Sequence, residues 1–329
     1  MRRFYLFSVA TALLLMVSAS ACSGGPTPEA PVAAAPTQTA LPTQPPQPTT
    51  VPEPTETLVQ PTEVVTGSES GEKKLEDLDP DKFDRSTNID NEWFPLKPGT
   101  QYVYEGFSVE GSERIPHRIV FIVTDLTKVI NGVRSVVIFD RDFSENLMEE
   151  AELTFFAQDN DGNVWHLGQY RETYDETEFV GSRVWLVGNP EGARAGIMMQ
   201  AEPRLGTPSY SQGYAPPPFN WTDRARVIEL GQKTSVPFGS YKDVLVTEEF
   251  NQEEPNAFQL KFYARGVGNV LVGWRGADAQ QEALELVDIV QLDPKALAEA
   301  RAEALELETR AYMYGQTPPA GYTPGTEGQ

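Results

Sequence analysis

The sequence predicts a mainly β fold: an antiparallel, strongly curved sheet or barrel-like domain, followed by one C-terminal helix. Three observations predict it. Eleven apolar or aromatic runs of strand length recur between Thr100 and Val290. Turn-forming residues separate them, among them Asn131-Gly132 and Asp159-Asn160-Asp161-Gly162, which are strong hairpin signals. The links are too short for the crossover helices of a parallel sheet, and a sheet of this many strands curls or closes on itself.

The chain opens with Arg2 and Arg3, an apolar stretch from Phe4 to Val17, and the small residues Ser18 to Ala21 before Cys22. This is the pattern of a secretory signal (residues 1–21), and it is short for a membrane-spanning helix. The small residues ending in Cys resemble the lipobox of bacterial lipoproteins, with Ala19 where that family prefers Leu. The resemblance implies cleavage before Cys22, acylation of its thiol, and anchoring to the membrane by lipid on the extracytoplasmic face. Ordinary signal cleavage near Ala21 is the alternative. Cys22 is the only cysteine, so no intramolecular disulfide can form.

Residues 22–78 read as a disordered tether. From Pro26 to Thr62, 11 of 37 residues are Pro, and none is Lys, Arg or aromatic, so the segment lacks the means to form a core. Pro-rich chain favours extended conformations that reach beyond ~100 Å over this length. Its threonines are of a composition that allows O-glycosylation.

Residues 79–292 read as the β domain. Thr100 to Phe107 alternates, with Tyr102 and Tyr104 on one face. His117 to Val123 follows, then Lys128 to Phe139, which contains the Asn131-Gly132 turn. Glu152 to Ala157 and Asn163 to Tyr170 flank the second turn. Phe179 to Val187, Arg226 to Leu230, Tyr241 to Phe250, Phe258 to Ala264, Val270 to Trp274 and Ala283 to Val290 complete the set. Asn189 to Gly213 reads as irregular. Tyr214 to Trp221 (YAPPPFNW) reads as a stiff loop, because three consecutive prolines cannot donate to a ladder. Asp293-Pro294 opens a helix over 293–315, with Asp293 as N-cap and Pro294 as first helical residue. Leu297, Ala300, Ala304 and Leu307 mark its apolar stripe, and Gly315 its stop. Residues 316–329 read as a disordered tail.

Charge excludes one class of partner. The chain has 48 acidic and 26 basic residues, a net of −22, and loss of the signal removes two of the arginines. Such a surface repels nucleic acid.

The chemistry-bearing residues are few. His117 and His166 are the only histidines, which nearly excludes a His/Cys zinc site. The sole cysteine lies on the tether, and neither a Gly-x-Ser-x-Gly elbow nor a Gly-rich phosphate loop is present. The doublets Glu149/Glu150, Asp175/Glu176, Glu248/Glu249 and Glu253/Glu254 read mostly as turn or surface charges. Asp159, Asp161 and Asn163 resemble the start of a calcium loop without full EF-hand spacing, and Asx-Gly also suits a hairpin turn. If Ca²⁺ binds, these three are its ligands; otherwise no cofactor is expected. Trp93, Trp165, Trp185, Tyr214, Phe219 and Trp221 are the candidates for a ligand-binding surface, or else core residues.

Three stretches carry a further resemblance: Asn88 to Tyr104 (NIDNEWFPLKPGTQYVY), Phe155 to Leu167 (FFAQDNDGNVWHL) and Phe262 to Val270 (FYARGVGNV). They resemble a group of secreted bacterial all-β domains of unknown function, in the same order along the chain. Arg265 stands where that group usually has Pro. The resemblance implies an all-β fold and no activity. The expectation is a lipid-anchored envelope protein displaying a non-enzymatic β domain that binds a partner or a small apolar ligand. A carboxylate-based hydrolase of wall or sugar polymers is the second expectation, and a calcium-stabilised adhesive module the third.

Overall fold

The computed structural model describes residues 74–311 and 319–322; Cys22 and the Pro-rich stretch lie outside them. All strands belong to one antiparallel sheet. The strands are β1 (Thr100–Glu110), β2 (Glu113–Ile130), β3 (Val133–Ser144), β4 (Leu147–Gln158), β5 (Val164–Asp175), β6 (Glu178–Leu186), β7 (Gly196–Met199), β8 (Tyr210–Ser211), β9 (Arg224–Val236), β10 (Gly239–Phe250), β11 (Ala257–Ala264), β12 (Gly268–Gly276), β13 (Ala283–Gln291) and β14 (Gly321–Tyr322); the helix α1 (Pro294–Arg310) follows β13. The spatial order is β6-β5-β4-β3-β2-β1-β13-β12-β11-β10-β9-β8, with β7 added to β5 and β14 to β2. The order ends at β6 and β8, so the ladder does not close into a barrel.

Tight turns between sequential strands set this order. At the β2–β3 turn, Asn131 and Gly132 have φ of 47° and 85°, the left-handed pair that matches the twist of a two-residue hairpin. Distant strands nonetheless meet. One apolar cluster joins Val123, Ile138, Phe156 and Val164 of β2–β5 to Val227, Leu245 and Tyr263 of β9–β11. The sheet therefore curls over this inner face. Gly196 of β7 lies so close to Gly213 that a Cβ on it would sit 2.0 Å from the Gly213 nitrogen, which is why a glycine stands there.

The outer face of β2–β5 carries a second cluster, including Ile122, Val137, Phe139, Leu153, Phe155 and Leu167. Both faces of these strands are thus apolar over part of their length. Helix α1 covers the outer face with Ala300, Ala304 and Leu307, a stripe of helical spacing whose small residues permit close approach. Asp293 Oδ1 accepts the N–H groups of Lys295 and Ala296 at 2.9 and 2.8 Å, capping the helix. Lys128 meets Glu308 at 2.8 Å beneath it.

Three boundaries differ from expectation. The helix ends at Arg310 with Ala311 as its cap, short of Gly315, which lies outside the described residues. Gly321–Tyr322, in the segment read as a disordered tail, pairs with Leu126 and Thr127 of β2. It is held where Glu308 accepts the Ala320 N–H at 3.0 Å and Arg301 stacks 4.5 Å from the Tyr322 ring. The end of the expected tether is also tied down, since the Lys74 carbonyl accepts from Arg224 at 2.9 Å and Leu78 packs on the outer cluster. Two-residue pairings leave no periodic pattern in a sequence. The same holds for β7 and β8, which form within the stretch read as irregular.

Candidate functional site

The three motif stretches converge at one end of the inner face. Asn91 is their pivot. Its Oδ1 accepts the Trp93 and Phe94 N–H groups at 2.9 and 3.1 Å, and its Nδ2 donates to the carbonyls of Gly162 and Gln200 at 2.9 and 3.1 Å. The Asn91 N–H donates to Gln158 Oε1 at 2.8 Å. Phe94 packs edge-on against Phe156 (5.5 Å) and Tyr263 (6.2 Å), one ring from each of the other motifs. Arg265 lies 4.0 Å from the Trp93 ring centroid and pairs with Glu92. The motif residues thus build an apolar plug, with nearly every polar atom satisfied.

Further along the same strands the inner face turns acidic. In β3 the inward positions run Val136, Ile138, Asp140, Asp142, because every second residue shares a face. In β4 they run Phe156, Thr154, Glu152, Glu150. The register sets Asp140 opposite Glu152 and Asp142 opposite Glu150. Asp140 is 4% and Glu152 3% exposed, an unusual location for carboxylates. From here a polar belt crosses the sheet. His117 Nε2 of β2 lies 3.2 Å from Asp142 Oδ1 and 3.0 Å from Glu282 Oε1. Between them in the sheet is Gly106, paired with His117, where a Cβ would meet the Ala283 carbonyl oxygen at 1.9 Å. Glu282 accepts from Gln259 at 2.7 Å. Lys261 pairs with Glu249 at 3.1 Å, and Gln212 donates to Glu249 at 2.8 Å. On the other side, Arg171 lies 3.4 Å from Glu150.

The belt's cations are therefore engaged at Glu150, Glu249, Asp142 and Glu282, while Asp140 and Glu152 face each other. Glu152 Oε1 accepts from Thr154 at 2.5 Å, but its buried Oε2 has no hydrogen-bond partner. Burial, together with the carboxylates of Glu152 and Asp142, holds the Asp140 carboxyl well above its usual range. Burial likewise raises Glu152, opposed by Arg171 and the Thr154 hydroxyl. Burial also works against the Glu249 carboxylate, but Lys261 and Gln212 outweigh it, and Glu249 titrates below its ordinary value. Such an arrangement can accept a cation or hold a proton.

The six aromatic candidates do not share one surface. Trp93 belongs to the inner cluster and Trp165 to the outer one, where its Nε1 donates to Asp159 at 2.8 Å. Trp185, Phe219 and Trp221 do meet, in a third cluster with Ala193 and Ala215. Tyr214 is half-buried and pairs its backbone with Arg194. His166 packs 5.0 Å from Trp185, 5.8 Å from Trp221 and 5.3 Å from Phe156. Burial lowers its pKa to about 4, against the Gln212 and Gly168 carbonyls that face its ring nitrogens. It is a neutral packing residue at physiological pH.

Asp159, Asp161 and Asn163 do fall in one turn, but protein groups hold their oxygens. Asp159 accepts from the Asn163 backbone, the Asn163 side chain and Trp165. Asp161 pairs with Lys82 at 3.3 Å, and Asn163 Oδ1 accepts the Ala201 N–H at 2.9 Å. Asp161 and Asn163 border an open depression with Ile197, Gln200, Glu202 and Arg204. Among the described residues, no group of three or more His, Cys, Asp or Glu side chains is placed to hold a metal ion.

Two of the four acid doublets differ from their reading as surface charge, whereas Asp175/Glu176 and Glu253/Glu254 lie at turns as expected. Glu150 and Glu249 point inward into the belt, and Glu248 is fully buried on the opposite face with Arg226 and Arg275. The belt residues themselves were absent from the sequence-based candidates. The available signal was phase: Asp140 and Asp142 continue the alternation of Val136 and Ile138, so they share the core face.

No family model matches the chain, and no curated protein matches it. Two solved structures are similar to it. A Bacteroides fragilis protein described as exported and of YmcC-like fold is 11% identical, with a TM-score of 0.37 over 61% of this chain and 99% of its own. A Parabacteroides distasonis protein described as a lipoprotein is also 11% identical, with a TM-score of 0.27 over the same shares. Similarity of this size leaves function to be argued from the residues. Among the described residues, no helix is long and apolar enough to cross a membrane.

Proposed function

We propose that this chain is a lipid-anchored protein of the extracytoplasmic face of the cell membrane. Its curled sheet is a binding module held away from the membrane on a Pro-rich tether, and the sequence group it resembles consists of secreted domains. The observation that carries the reading is the position of Cys22, directly after a basic, apolar and small-residue leader and directly before the Pro-rich stretch. Stable anchoring takes more than one acyl chain, which lipoprotein processing supplies. The binding part is supported by Glu152 in the belt, whose buried Oε2 accepts no hydrogen bond.

Metabolic labelling with a fatty-acid probe, with membrane fractionation, tests the anchor. Wild type is expected to carry label and sediment with membranes, and Cys22→Ser to lose both. Label retained by Cys22→Ser contradicts the anchor. Native mass spectrometry after incubation with a lipid and metabolite extract tests the module: a stoichiometric adduct supports it, and a clean apo mass contradicts it.

A second reading is a carboxylate-based hydrolase. It is favoured by one observation, the inward pair Asp140 and Glu152, whose carboxyls are both held above their usual range, as a general acid requires. Release of sugar or peptide fragments from purified wall material, lost in Glu152→Gln, would establish it.

A further inference from the structure

We propose that the row Phe143, Met148, Tyr174 and Phe179, at the end of the outer face that α1 leaves uncovered, docks a cationic amphipathic segment of a partner protein. This rests on the binding-module reading above, for which it names a surface and a partner, and is independent of the belt and of the anchor.

The row follows from register. Phe143 of β3 stands opposite Met148 of β4, and Tyr174 of β5 opposite Phe179 of β6. Phe143, Met148 and Tyr174 are half-buried against the outer cluster, so the row shares that face. The Tyr174 and Phe179 rings meet edge-on at 6.2 Å. Helix α1 stops short of them: its last residue, Arg310, pairs with Glu172 at 2.9 Å, and Tyr174 donates to Glu172 at 2.5 Å just beyond. β6 ends the strand order, so no further strand flanks Phe179. Phe179 is 56% and Val180 58% exposed, the two highest values among the large apolar side chains of the described residues. Val180 is the extra residue of a bulge, since Phe179 pairs with Tyr174 and Gly181 with Thr173; bulges re-aim side chains at sheet edges. Single exposed apolar residues are ordinary, but a contiguous apolar row rimmed by polar residues marks an interaction surface.

The rim selects the partner. Glu145 in the β3–β4 turn and Asp175, Glu176 and Glu178 around the β5–β6 turn are all exposed. Among the described residues, no Lys or Arg forms an ion pair with any of these four. Aromatic anchors beside such acids fit a segment with apolar side chains on one side and Lys or Arg on its flanks, because apolar burial supplies the affinity and complementary charge the register. A second copy of this chain fits poorly: an isologous contact sets the same four acids against themselves. An anionic membrane surface is repelled in the same way. The row also lies a strand's length from where the chain enters the domain. There, at the far end of β4, the Gln158 and Asn160 N–H groups donate to the Ser86 and Lys82 carbonyls at 2.9 and 2.7 Å, so the tether does not hold the row toward its own membrane.

The test is calorimetric titration with a short synthetic peptide of leucine and lysine at helical spacing, on the full chain purified from whichever fraction holds it, at near-neutral pH and moderate salt. One saturable site is expected. Phe179→Ser, and Glu176→Gln combined with Glu178→Gln, should each weaken it at least fivefold. Leu230→Ser, at an exposed apolar residue of β9, should leave it within twofold. In the wild type, amide hydrogen exchange of residues 173–181 should slow on binding, which keeps the placement testable if a variant fails to fold. Absence of saturable binding overturns the proposal, and so does binding without that protection. Equal weakening by Leu230→Ser, or equal binding of a lysine-only peptide, marks non-specific attraction to an acidic chain and overturns it as well. Self-association that Phe179→Ser abolishes would assign the row to a second copy, and binding to anionic vesicles that Phe179→Ser abolishes would assign it to a membrane; either overturns the partner class. Failure with the peptide alongside an adduct from the metabolite extract leaves the binding module standing and removes only this surface.

Discussion

The two ends of the inner face are built from the same strands and solve opposite problems. At the motif end, Asn91 makes six hydrogen bonds and Phe94 fills the space between β4 and β11. At the belt end, Asp140 and Glu152 occupy equivalent inward positions on β3 and β4 with a carboxylate oxygen left over. At the motif end Asn91 is fully engaged and only the buried Asn269 Oδ1 of the third motif goes without a partner, whereas at the belt end two buried carboxyls face each other and Glu152 Oε2 accepts no hydrogen bond. The difference separates what stabilises this domain from what it is available to bind.

The comparison makes predictions of opposite sign. The largest effect belongs to the plug: Phe94→Ala is expected to destabilise by about 3–5 kcal/mol, measured by denaturant unfolding. A loss below about 1 kcal/mol would show that the rings of Phe156 and Tyr263 close over the gap. Asn91→Ala is expected to cost about 2–3 kcal/mol, because it strands the Trp93 and Phe94 donors together with two carbonyls. At the belt the sign reverses. Asp140→Asn is expected to raise the melting temperature wherever the wild-type carboxyl is ionised, since it removes a buried like-charge pair. The smallest effect is expected for Glu105→Gln, within about 0.5 kcal/mol, because its contact with Arg118 at 3.7 Å is exposed. A larger effect there would mean that overall charge rather than position governs the belt results.

The pH dependence follows from the same residues. Glu152, Asp142 and Glu150 from β3 and β4 face Asp140, with Tyr104 of β1 close enough to feel its charge. The folded state therefore binds the Asp140 proton more tightly than the unfolded chain does. For a carboxyl raised in this way, the stability contribution is fully present below the unfolded value, about 3.9, and is lost as pH rises through the folded value. Glu249, held below its ordinary value, contributes in the opposite direction and loses its contribution as pH falls. The wild-type profile sums both, so only the difference from a variant isolates Asp140.

Much of the fold was legible in the sequence, and the reason is physical. Alternation in Thr100 to Phe107, the Asn131-Gly132 turn and the Asp293-Pro294 helix start are local signals, and the strands and cap form where they indicate. What could not be read was set by distance. Glu150 and Glu249 look like surface charge because a lone doublet does not reveal which residue faces inward. The partners that bring Glu249 into the belt, Gln212 and Lys261, are remote or unremarkable in the chain. The aromatic candidates were marked by size, but three different clusters divide them. The motifs were recognisable through their glycines and prolines, which shape turns, and they led to the plug rather than to the belt.

The most direct measurement is the melting temperature of wild type and Asp140→Asn, taken side by side from pH 8 down to pH 4. The account predicts that the variant's melting temperature relative to wild type does not fall as pH rises, because ionisation of the raised Asp140 carboxyl can only destabilise the wild type while asparagine does not titrate. A variant that loses ground to wild type as pH rises would contradict a buried Asp140 held above its usual range and, with it, the division of the inner face into plug and belt.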